Sequence, residues 1–529
     1  MTRLFLTTAL ACAIALPAFA VQPAEGEKLA ENQSYTFWLL DAIKTADPQK
    51  NTDVEGSDII RQLFEGLLNE DPKGAPIPGV ATGFDLSDDK LTYTFHLRPE
   101  AKWSNGEPVT AGDFVYSWRR LADPATASEY AWFIELMNVE NATAVVKGEK
   151  KPEELGVKAV DEHTLEVKLT APTPYFPKMV THASTFPVNQ KVVEAEGDAW
   201  TQPGKLVGNG AYVLKSHDLG VQISMDKNPE YWDAANVVME HIKGLTVNDN
   251  NIALTRYQAG ELDRVQIPAG QYPRLKEQFP DQAISIPYSC TYAYLFNVGD
   301  KAPEALKDVR VRKALSYAMQ RDVVVNQILQ GGQKPAYNWT HWAIEGFQMP
   351  EIDYAGWTQA ERLEKAKALL AEAGVKTPLE LTMTLPPTPY ARQGGEVIAA
   401  QLAKIGIRAK LQNVEWAQWL SGTYTLKNYD LTLISHVEPF DLGNFAKPDY
   451  YWGYQSSQFN ELYDKIKSAS RPADRSRLLG DAQRLLAQDC VHAFLYTPQW
   501  VTVANKNLRG LWKDMPVFVN DLSALSWAT

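Results

Sequence analysis

Every second residue is apolar in two short stretches of the first third of the chain. Residues 91–98 and 164–169 both follow this period of two, which is expected of a strand with one buried face. A proline-rich turn follows the second stretch. Both lie between residues 70 and 190, so the sequence predicts one compact, strand-containing unit there.

Apolar residues recur at helical spacing further along the chain. Asp308 is placed to cap a helix over residues 308–329, and Thr358 and Gly374 bound a second helix that starts with a capping box. A third helix over residues 397–405 leads into a strand. Alternating helices and strands from about 290 to 490 predict an α/β lobe with its own sheet.

Composition narrows the class of protein. The chain has 529 residues, 45% of them hydrophobic and 22% charged, which is near the average for globular proteins and supports two to three domains. Its formal net charge of −12 argues against a nucleic-acid partner, which requires a basic surface. No stretch approaches the ~18–20 consecutive apolar residues of a membrane-spanning helix.

The first twenty residues read as an export signal. Arg3 supplies the positive start, residues 4–16 are mainly apolar, and residues 18–20 (Ala-Phe-Ala) form a cleavage site. Cys12 lies too early, inside the apolar run, to mark a lipoprotein. We expect cleavage after Ala20 and a periplasmic location.

Two cysteines, Cys290 and Cys490, remain after the signal is removed. An oxidising compartment permits a disulfide between them, provided that their Cα atoms come within about 4.4–6.8 Å. The sequence leaves two alternatives open, a disulfide and two buried free thiols. With two distant cysteines and eight scattered histidines, no metal site and no cofactor are expected.

Motifs for known catalytic chemistries are missing. The sequence has no G-x-S-x-G elbow, no H-E-x-x-H pair and no phosphate-binding G-x-x-x-x-G-K-[ST] loop, which argues against an enzyme. The Gly208-Asn209-Gly210 stretch lacks a third glycine and reads as a turn into a strand. Aromatic residues make up 11% of the chain and suit both a ligand cleft and a large core. An exported binding protein or an exported hydrolase remains.

Particular stretches resemble one family. Residues 91–113 read LTYTFHLRPEAKWSNGEPVTAGD and are followed by FVYSWRR; further matches are RQLFEGL at 61–67, GNGAY at 208–212 and DVRVRKAL at 308–315. These stretches are similar to the family 5 extracellular solute-binding proteins, the peptide-binding subunits of ABC importers. The similarity runs over nearly the whole chain after the signal.

This resemblance implies an α/β fold of the type II periplasmic-binding-protein kind, with two lobes around a ligand cleft plus an extra domain. Domain I would combine residues 21–69, 190–288 and 498–529, domain II would be 70–189, and domain III 289–497. Domains I and III would close on each other about a hinge and bury the ligand between them.

The resemblance also implies ligand-binding positions, for each of which ordinary core packing is the alternative. A transporter that accepts many peptide sequences must hold the peptide main chain by strand-like hydrogen bonds and leave side chains in roomy, hydrated pockets. The residues matching the family's cleft are Gly56, Ser57, Ile59, Tyr130, His182, Tyr288, Cys290, Thr291, Trp416 and Tyr496.

The chain departs from the family pattern within residues 433–445. Peptide-binding relatives carry there a Trp, a disulfide Cys and an Asp that pairs with the peptide α-ammonium, whereas this chain has His436 and Val437 at the first two positions. A disulfide from Cys290 would then need Cys490, and Glu438 or Asp441 would supply the acidic anchor. Positions where relatives place arginines for the peptide carboxylate are Thr423 and Leu433.

Three functions remain open. The first is an importer subunit that binds short peptides, works as a monomer and delivers them to a membrane permease and its ATPase. The second is a binding protein of the same fold for an opine, a sugar conjugate, haem, glutathione or a chelated metal, favoured by the altered segment. The third is an exported hydrolase with a dispersed active site.

Overall fold

The protein is described from a computed structural model in residues 27–288, 290–339, 352–415, 418–419, 421–436, 441–447, 450–469, 471–511 and 521–528. Within these residues, no helix is both long and apolar enough to cross a membrane. The predicted signal segment and its cleavage site lie outside the described residues.

Strands form three large sheets and two short ribbons. In chain order they are β1 (Ser34–Leu39), β2 (Leu68–Glu70), β3 (Pro76–Pro78), β4 (Ala81–Leu86), β5 (Thr92–Leu97), β6 (Val157–Asp161), β7 (Thr164–Lys168), β8 (Tyr212–Asp218), β9 (Gln222–Lys227), β10 (His241–Thr246), β11 (Arg264–Gln266), β12 (Ala283–Pro287), β13 (Thr291–Phe296), β14 (Lys334–Pro335), β15 (Leu379–Leu385), β16 (Ile407–Asn413), β17 (Leu431–His436), β18 (His492–Thr497), β19 (Gln499–Ala504), β20 (Leu508–Arg509) and β21 (Ser526–Trp527).

Helices cover the sheets. They are α1 (Val54–Leu63), α2 (Ala111–Ala122), α3 (Ala131–Leu136), α4 (Ala142–Val146), α5 (Phe176–Met179), α6 (Gln190–Glu196), α7 (Asn250–Gln258), α8 (Tyr272–Gln278), α9 (Glu304–Lys307), α10 (Val309–Ala318), α11 (Arg321–Val323), α12 (Gln359–Glu372), α13 (Pro389–Ala403), α14 (Ser457–Ser468) and α15 (Pro472–Asp489). Short π-helical turns follow at Val324–Leu329 and Ser421–Thr425.

The three large sheets share no strand, and the seven-stranded sheet combines strands from both ends of the chain with others from its middle. A seven-stranded sheet has the order β12-β19-β11-β1-β10-β9-β8, a four-stranded sheet the order β4-β5-β7-β6, and a six-stranded sheet the order β14-β18-β13-β17-β15-β16. β1 runs parallel to both of its neighbours, β10 and β11. We call the parts of the protein around these sheets the seven-, four- and six-stranded units; the exact domain boundaries stay a prediction.

Most of the strands and helices predicted from hydrophobic periodicity are present in the structure. The buried face of β5 consists of Tyr93, Phe95 and Leu97, as its period of two predicts. The predicted capping box before α12 is confirmed, with Thr358 Oγ1 accepting from the Glu361 amide at 3.3 Å. Gly374 follows the helix with a φ of 69°, a value that glycine adopts without strain.

The predicted single helix over residues 308–329 is wrong in its second half. Asp308 does cap α10, its carboxylate accepting from the Arg310 amide at 2.8 Å, but α10 ends at Ala318. Arg321 then turns its side chain back and donates to the carbonyls of Ser316 and Met319 at 3.1 and 3.2 Å. These carbonyls at the end of α10 are therefore satisfied by a guanidinium, and the chain restarts as α11.

Gly208 and Gly210 are required by a close approach of two backbones. A Cβ atom on Gly208 would lie 2.0 Å from the Leu63 carbonyl oxygen, and one on Gly210 would lie 2.5 Å from that of Gln62. This contact holds the start of β8 against the end of α1. The stretch therefore has a packing role, in agreement with the turn that the sequence predicts.

Candidate functional site

Two short crossings join the seven-stranded and six-stranded sheets. Residues 288–290 connect β12 to β13, and Pro498 alone connects β18 to β19. Because both connections are so short, the ends of these strands in the two sheets lie close together at this point. Four of the predicted site residues, Tyr288, Cys290, Thr291 and Tyr496, lie at or next to these crossings.

Neighbouring strands bring a fifth predicted residue to the same place. β13 pairs Thr291 with His436 of β17, and it pairs Tyr292 with Tyr496 of β18, whose rings stack at 4.9 Å. Thr291 is buried, and its hydroxyl has no hydrogen-bond partner among the described residues. We call Tyr288, Cys290, Thr291, His436 and Tyr496 the crossing group.

Tyr130 and His182 form a second group on the four-stranded unit. Their ring centroids are 5.1 Å apart, and His182 also lies 4.5 Å from the Phe133 ring. The His182 ring nitrogen Nδ1 is 2.7 Å from Ser184 Oγ. Lys447 reaches this side from the six-stranded unit, with its Nζ 4.7 Å from the Trp132 ring.

The three predicted positions on α1 divide into two kinds. Gly56 packs so tightly that an added Cβ would lie 2.0 Å from Asn51 Oδ1, and Ser57 Oγ accepts from Asn51 Nδ2 at 3.0 Å. Both lie in the first turn of the helix, which Asp53 caps by accepting from the Gly56 amide at 2.6 Å. Ile59, by contrast, is fully buried in the hydrophobic core, which is the packing role given as its alternative.

A small cavity at the edge of the seven-stranded sheet lies beside these α1 residues. It has a volume of about 50 Å³ and lies at the carboxyl ends of the parallel strands β1 and β11, the edge at which α/β sheets bind their ligands. We call it the Glu55 cavity; it is lined by Phe37, Trp38, Leu39, Leu40, Val54, Glu55, Asp58, Arg264, Val265, Gln266, Trp500 and Thr502.

Trp500 connects this cavity to the crossing group. Its ring meets that of Tyr288 edge-on, with 6.2 Å between the centroids, and lies 5.8 Å from the Arg264 guanidinium carbon. Val54, at the cavity edge, is 39% exposed although it is apolar. The cavity and the crossing group are thus two parts of one continuous region.

The charged residues of the cavity were not predicted from the sequence. Glu55 directly precedes the predicted Gly56, but an acidic residue in a first helical turn is ordinarily explained by the helix dipole. Arg264 and Trp500 lie more than 200 residues away along the chain and belong to no motif. Arg264 and Trp500 come close to α1 only because of the strand pairing in the seven-stranded sheet.

Burial and like charges shift the pKa of Glu55. Removal from water raises it to about 7, and the carboxylates of Asp53, Asp58 and Asp41 add to the shift. Asp53 itself has a raised pKa, again mainly because it is buried. The first turn of α1 therefore carries a concentration of negative charge that this part of the protein does not fully neutralise.

Part of the predicted site lies outside the described residues. Trp416 and Glu438 fall there, and so does Val437. His436 is placed by its backbone as the last residue of β17, and Asp441 as the first of a 3₁₀ turn, Asp441–Ala446. The choice between Glu438 and Asp441 as an acidic anchor stays a prediction. Of the positions discussed for arginines, Thr423 and Leu433 are both buried.

The disulfide alternative for Cys290 and Cys490 is wrong, because the structure does not join these two buried cysteines. Cys290 precedes β13 and Cys490 precedes β18, and these strands are antiparallel. The two cysteines therefore lie at opposite ends of a six-residue strand pair, about 20 Å apart at the usual rise per residue. A disulfide needs Cα atoms within about 4.4–6.8 Å.

No metal centre is apparent where side chains are described. In that part of the chain, no three His, Cys, Asp or Glu residues are grouped so that they could hold an ion.

Comparison with known proteins identifies the family. The family model for bacterial extracellular solute-binding proteins, family 5, matches residues 75–460. The periplasmic oligopeptide-binding protein OppA of Salmonella typhimurium is 38% identical over 476 residues, which cover 88% of this chain and 87% of that protein. The periplasmic murein peptide-binding protein MppA of Escherichia coli is 37% identical over 460 residues, 85% and 84% of the two chains. The chain belongs to the family 5 extracellular solute-binding proteins.

A further relative is named for a ligand that is not a peptide. The probable deoxycholate-binding periplasmic protein YgiS of Escherichia coli is 32% identical over 456 residues, which cover 86% of this chain and 82% of that protein. The family therefore does not by itself restrict the solute to a peptide.

Two solved structures of one relative report on the arrangement of the units. The Escherichia coli murein tripeptide-binding protein MppA superimposes with a TM-score of 0.89 at 33% identity, covering 95% of this chain and 99% of that one. The unliganded open form of MppA gives only 0.75 at the same identity, covering 96% and 99%. Since the relative is the same, the lower score reflects a different arrangement of its units. The predicted α/β fold of a type II periplasmic binding protein is confirmed, in an arrangement unlike the open form.

Proposed function

We propose that this protein captures short peptides in the periplasm and delivers them to the membrane permease and ATPase of an ABC importer. The observation that carries the proposal is the 37–38% identity to oligopeptide- and murein peptide-binding proteins over more than four fifths of every chain compared. The proposed carrier is a monomer, exported by its N-terminal signal and cleaved after Ala20.

The geometry of the crossing region suits an extended peptide. The seven-stranded and six-stranded sheets meet there through two short connections, so a strand-like ligand placed between them can bond to main-chain groups of either unit. Domain I (21–69, 190–288 and 498–529) and domain III (289–497) would close on the ligand, while domain II (70–189) packs on domain I. Removal from water strengthens each hydrogen bond made inside the closed cleft.

Native mass spectrometry of gently purified protein tests this proposal. We expect a heterogeneous set of bound masses in the range of short peptides, replaced by a single peptide when an excess of that peptide is added. Free amino acids at the same concentration serve as the control ligand. A protein that carries no peptide and exchanges none would contradict the proposal.

A second candidate, a non-peptide solute, is favoured by one observation. The probable deoxycholate-binding protein YgiS is 32% identical to this chain, and the segment where relatives anchor the peptide ammonium differs here. The same spectra distinguish the two cases, because a single bound mass with no peptide fragmentation pattern supports the non-peptide solute. Chemical turnover of an added peptide would instead support an exported hydrolase.

A further inference from the structure

Glu55 stands out among the charged side chains of the cavity because its half-buried carboxylate forms no ion pair with a described residue. The charged groups that raise its pKa are the acids Asp53, Asp58 and Asp41, while a hydrogen bond from its own backbone amide lowers the pKa. The cations in this region are Arg264, which also lines the cavity, and Lys44 beside Asp53. The acids Glu55, Asp58, Asp53 and Asp41 outnumber them at this edge of the sheet.

The position of Glu55 makes that charge available to a ligand. The carboxylate borders the cavity at the carboxyl ends of β1 and β11, and the cavity joins the crossing group through Trp500 and Tyr288. A volume of about 50 Å³ admits a group the size of an ammonium ion. Trp38 also lines the cavity, and indole rings attract cations. The Trp500 ring already faces the Arg264 guanidinium at 5.8 Å.

We infer that Glu55 is a specificity-determining residue of the proposed cleft, whose carboxylate receives a cationic group of the ligand. That group is the α-ammonium of a peptide or the basic side chain of one of its residues. The inference rests on the proposed function and narrows it to ligands that carry a positive charge near one end of the cleft. Glu55 lies next to the seven-stranded sheet and is separate from the acidic anchor, Glu438 or Asp441, that the sequence predicts.

The test compares three peptide pools on wild-type protein and on Glu55→Gln. The pools are random tri- to pentapeptides with a free amine and no basic side chain, the same peptides N-acetylated, and N-acetylated peptides with one lysine. We expect Glu55→Gln to weaken binding of one or both cationic pools about tenfold or more and of the neutral pool less than about twofold. Affinities come from competition titrations on protein stripped of carried-over ligand.

Two further variants distinguish an effect of the Glu55 charge on binding from an effect on folding. Glu277→Gln on α8 removes the same charge from an exposed position and should leave all three affinities unchanged. Glu55→Asp keeps the charge on a shorter side chain and should retain more cation selectivity than Glu55→Gln. Loss of the free-amine pool alone identifies the α-ammonium as the bound group, and loss of the lysine pool alone identifies the side chain.

The pH dependence gives a second readout. Glu55 is ionised above its pKa of about 7, so binding of the lysine pool should be strongest above that pH and weaken on acidification towards pH 5. The charged groups around Glu55 are Asp53, which caps α1, Asp58 on α1, Asp41 after β1, Arg264 on β11 and Lys44 beside Asp53. Glu55→Gln should flatten the part of the profile near pH 7.

The outcomes distinguish this inference from the proposed function. If wild-type protein binds the pools but Glu55→Gln binds all of them equally well, the inference is overturned and the proposed function stands. If wild-type protein prefers the neutral pool, the inference is likewise overturned. If wild-type protein binds no pool, the proposed function is overturned, and the inference with it.

Discussion

Two regions of this protein remove a charged side chain from water, and they treat it differently. Arg321 in the six-stranded unit is completely buried, and its guanidinium makes six hydrogen bonds to described residues, four of them to main-chain carbonyls and two to the hydroxyls of Ser316 and Tyr354. The rings of Tyr337 and Tyr354 lie 4.7 and 5.4 Å from it. Glu55 at the edge of the seven-stranded unit borders a cavity that Arg264 also lines, and three nearby acids raise its pKa without any of them pairing with it.

The difference separates a structural charge from a functional one. Every donor direction of Arg321 is used within the unit, so the charge ties α10, β18 and the loop after α11 together and leaves nothing for a ligand. The carboxylate of Glu55 lowers the stability of the ligand-free protein, since it is desolvated without a matching cation. A group retained at such a cost is typical of a binding site.

Replacing the structural charge should have the largest effect. Arg321→Met leaves the carbonyls of Ala336 and Phe494 without their donor in the core, so we expect a loss of about 3–5 kcal/mol in the free energy of unfolding. Urea unfolding followed by tryptophan fluorescence measures it. Arg392→Met, at an exposed position on α13, is the control and should cost under about 0.5 kcal/mol. A decrease of less than 1 kcal/mol in the free energy of unfolding would show that Arg321 does not have this structural role.

Replacing the functional charge should stabilise the ligand-free protein. The pKa of Glu55 is raised from 4.5 to about 7, so the folded protein holds a proton that the unfolded chain has already released between these pH values. The favourable contribution of the protonated form is full below pH 4.5 and is lost as the pH rises through 7.

Glu55→Gln should therefore unfold like wild type at pH 4.5 and be more stable at pH 8, by on the order of 2 kcal/mol. Urea midpoints of ligand-stripped protein at four pH values between 4.5 and 8 provide the measurement. With Glu277→Gln the difference from wild type should not change with pH. An equal gain at every pH would mean that Glu55 acts through packing and not through its charge.

A third charged residue, Arg475, extends the comparison because it lies between two units. Arg475 on α15 places its guanidinium carbon 3.9 Å from the ring of Tyr175 in the four-stranded unit, and burial lowers its pKa. A contact that joins units only in a closed arrangement adds to the apparent ligand affinity without touching the ligand.

We expect Arg475→Gln to weaken peptide binding about threefold to tenfold, the range of a partly desolvated cation–π contact. Arg477→Gln, two residues away and paired with Asp481 on the exposed face of α15, is the matched control and should change affinity less than twofold. The preference between cationic and neutral peptide pools should be the same in both variants. A changed preference would show that Arg475 contacts the ligand.

Much of the fold could be predicted because local patterns and tertiary structure agree. The strand in residues 91–98, the capped helix α12 and the cap at Asp308 follow from side chains that interact within a few residues of one another. The break after α10 could not be predicted in this way, since Arg321 terminates it through carbonyls that include those of Ala336 and Phe494. Local helical periodicity cannot predict hydrogen-bond acceptors that are so distant in the sequence.

The same distinction between local contacts and contacts distant in the sequence applies to the candidate site. The sequence by itself determined the family and the α/β class, because these are carried by contiguous motifs, and it predicts Tyr288, Thr291 and Tyr496 as site residues. Only the tertiary structure decided that Cys290 and Cys490 are apart, and that Glu55, Arg264 and Trp500 enclose one cavity. The physical reason is that strand pairing across hundreds of residues sets these distances, and the charge environment of a carboxylate depends on every neighbour that the fold brings to it.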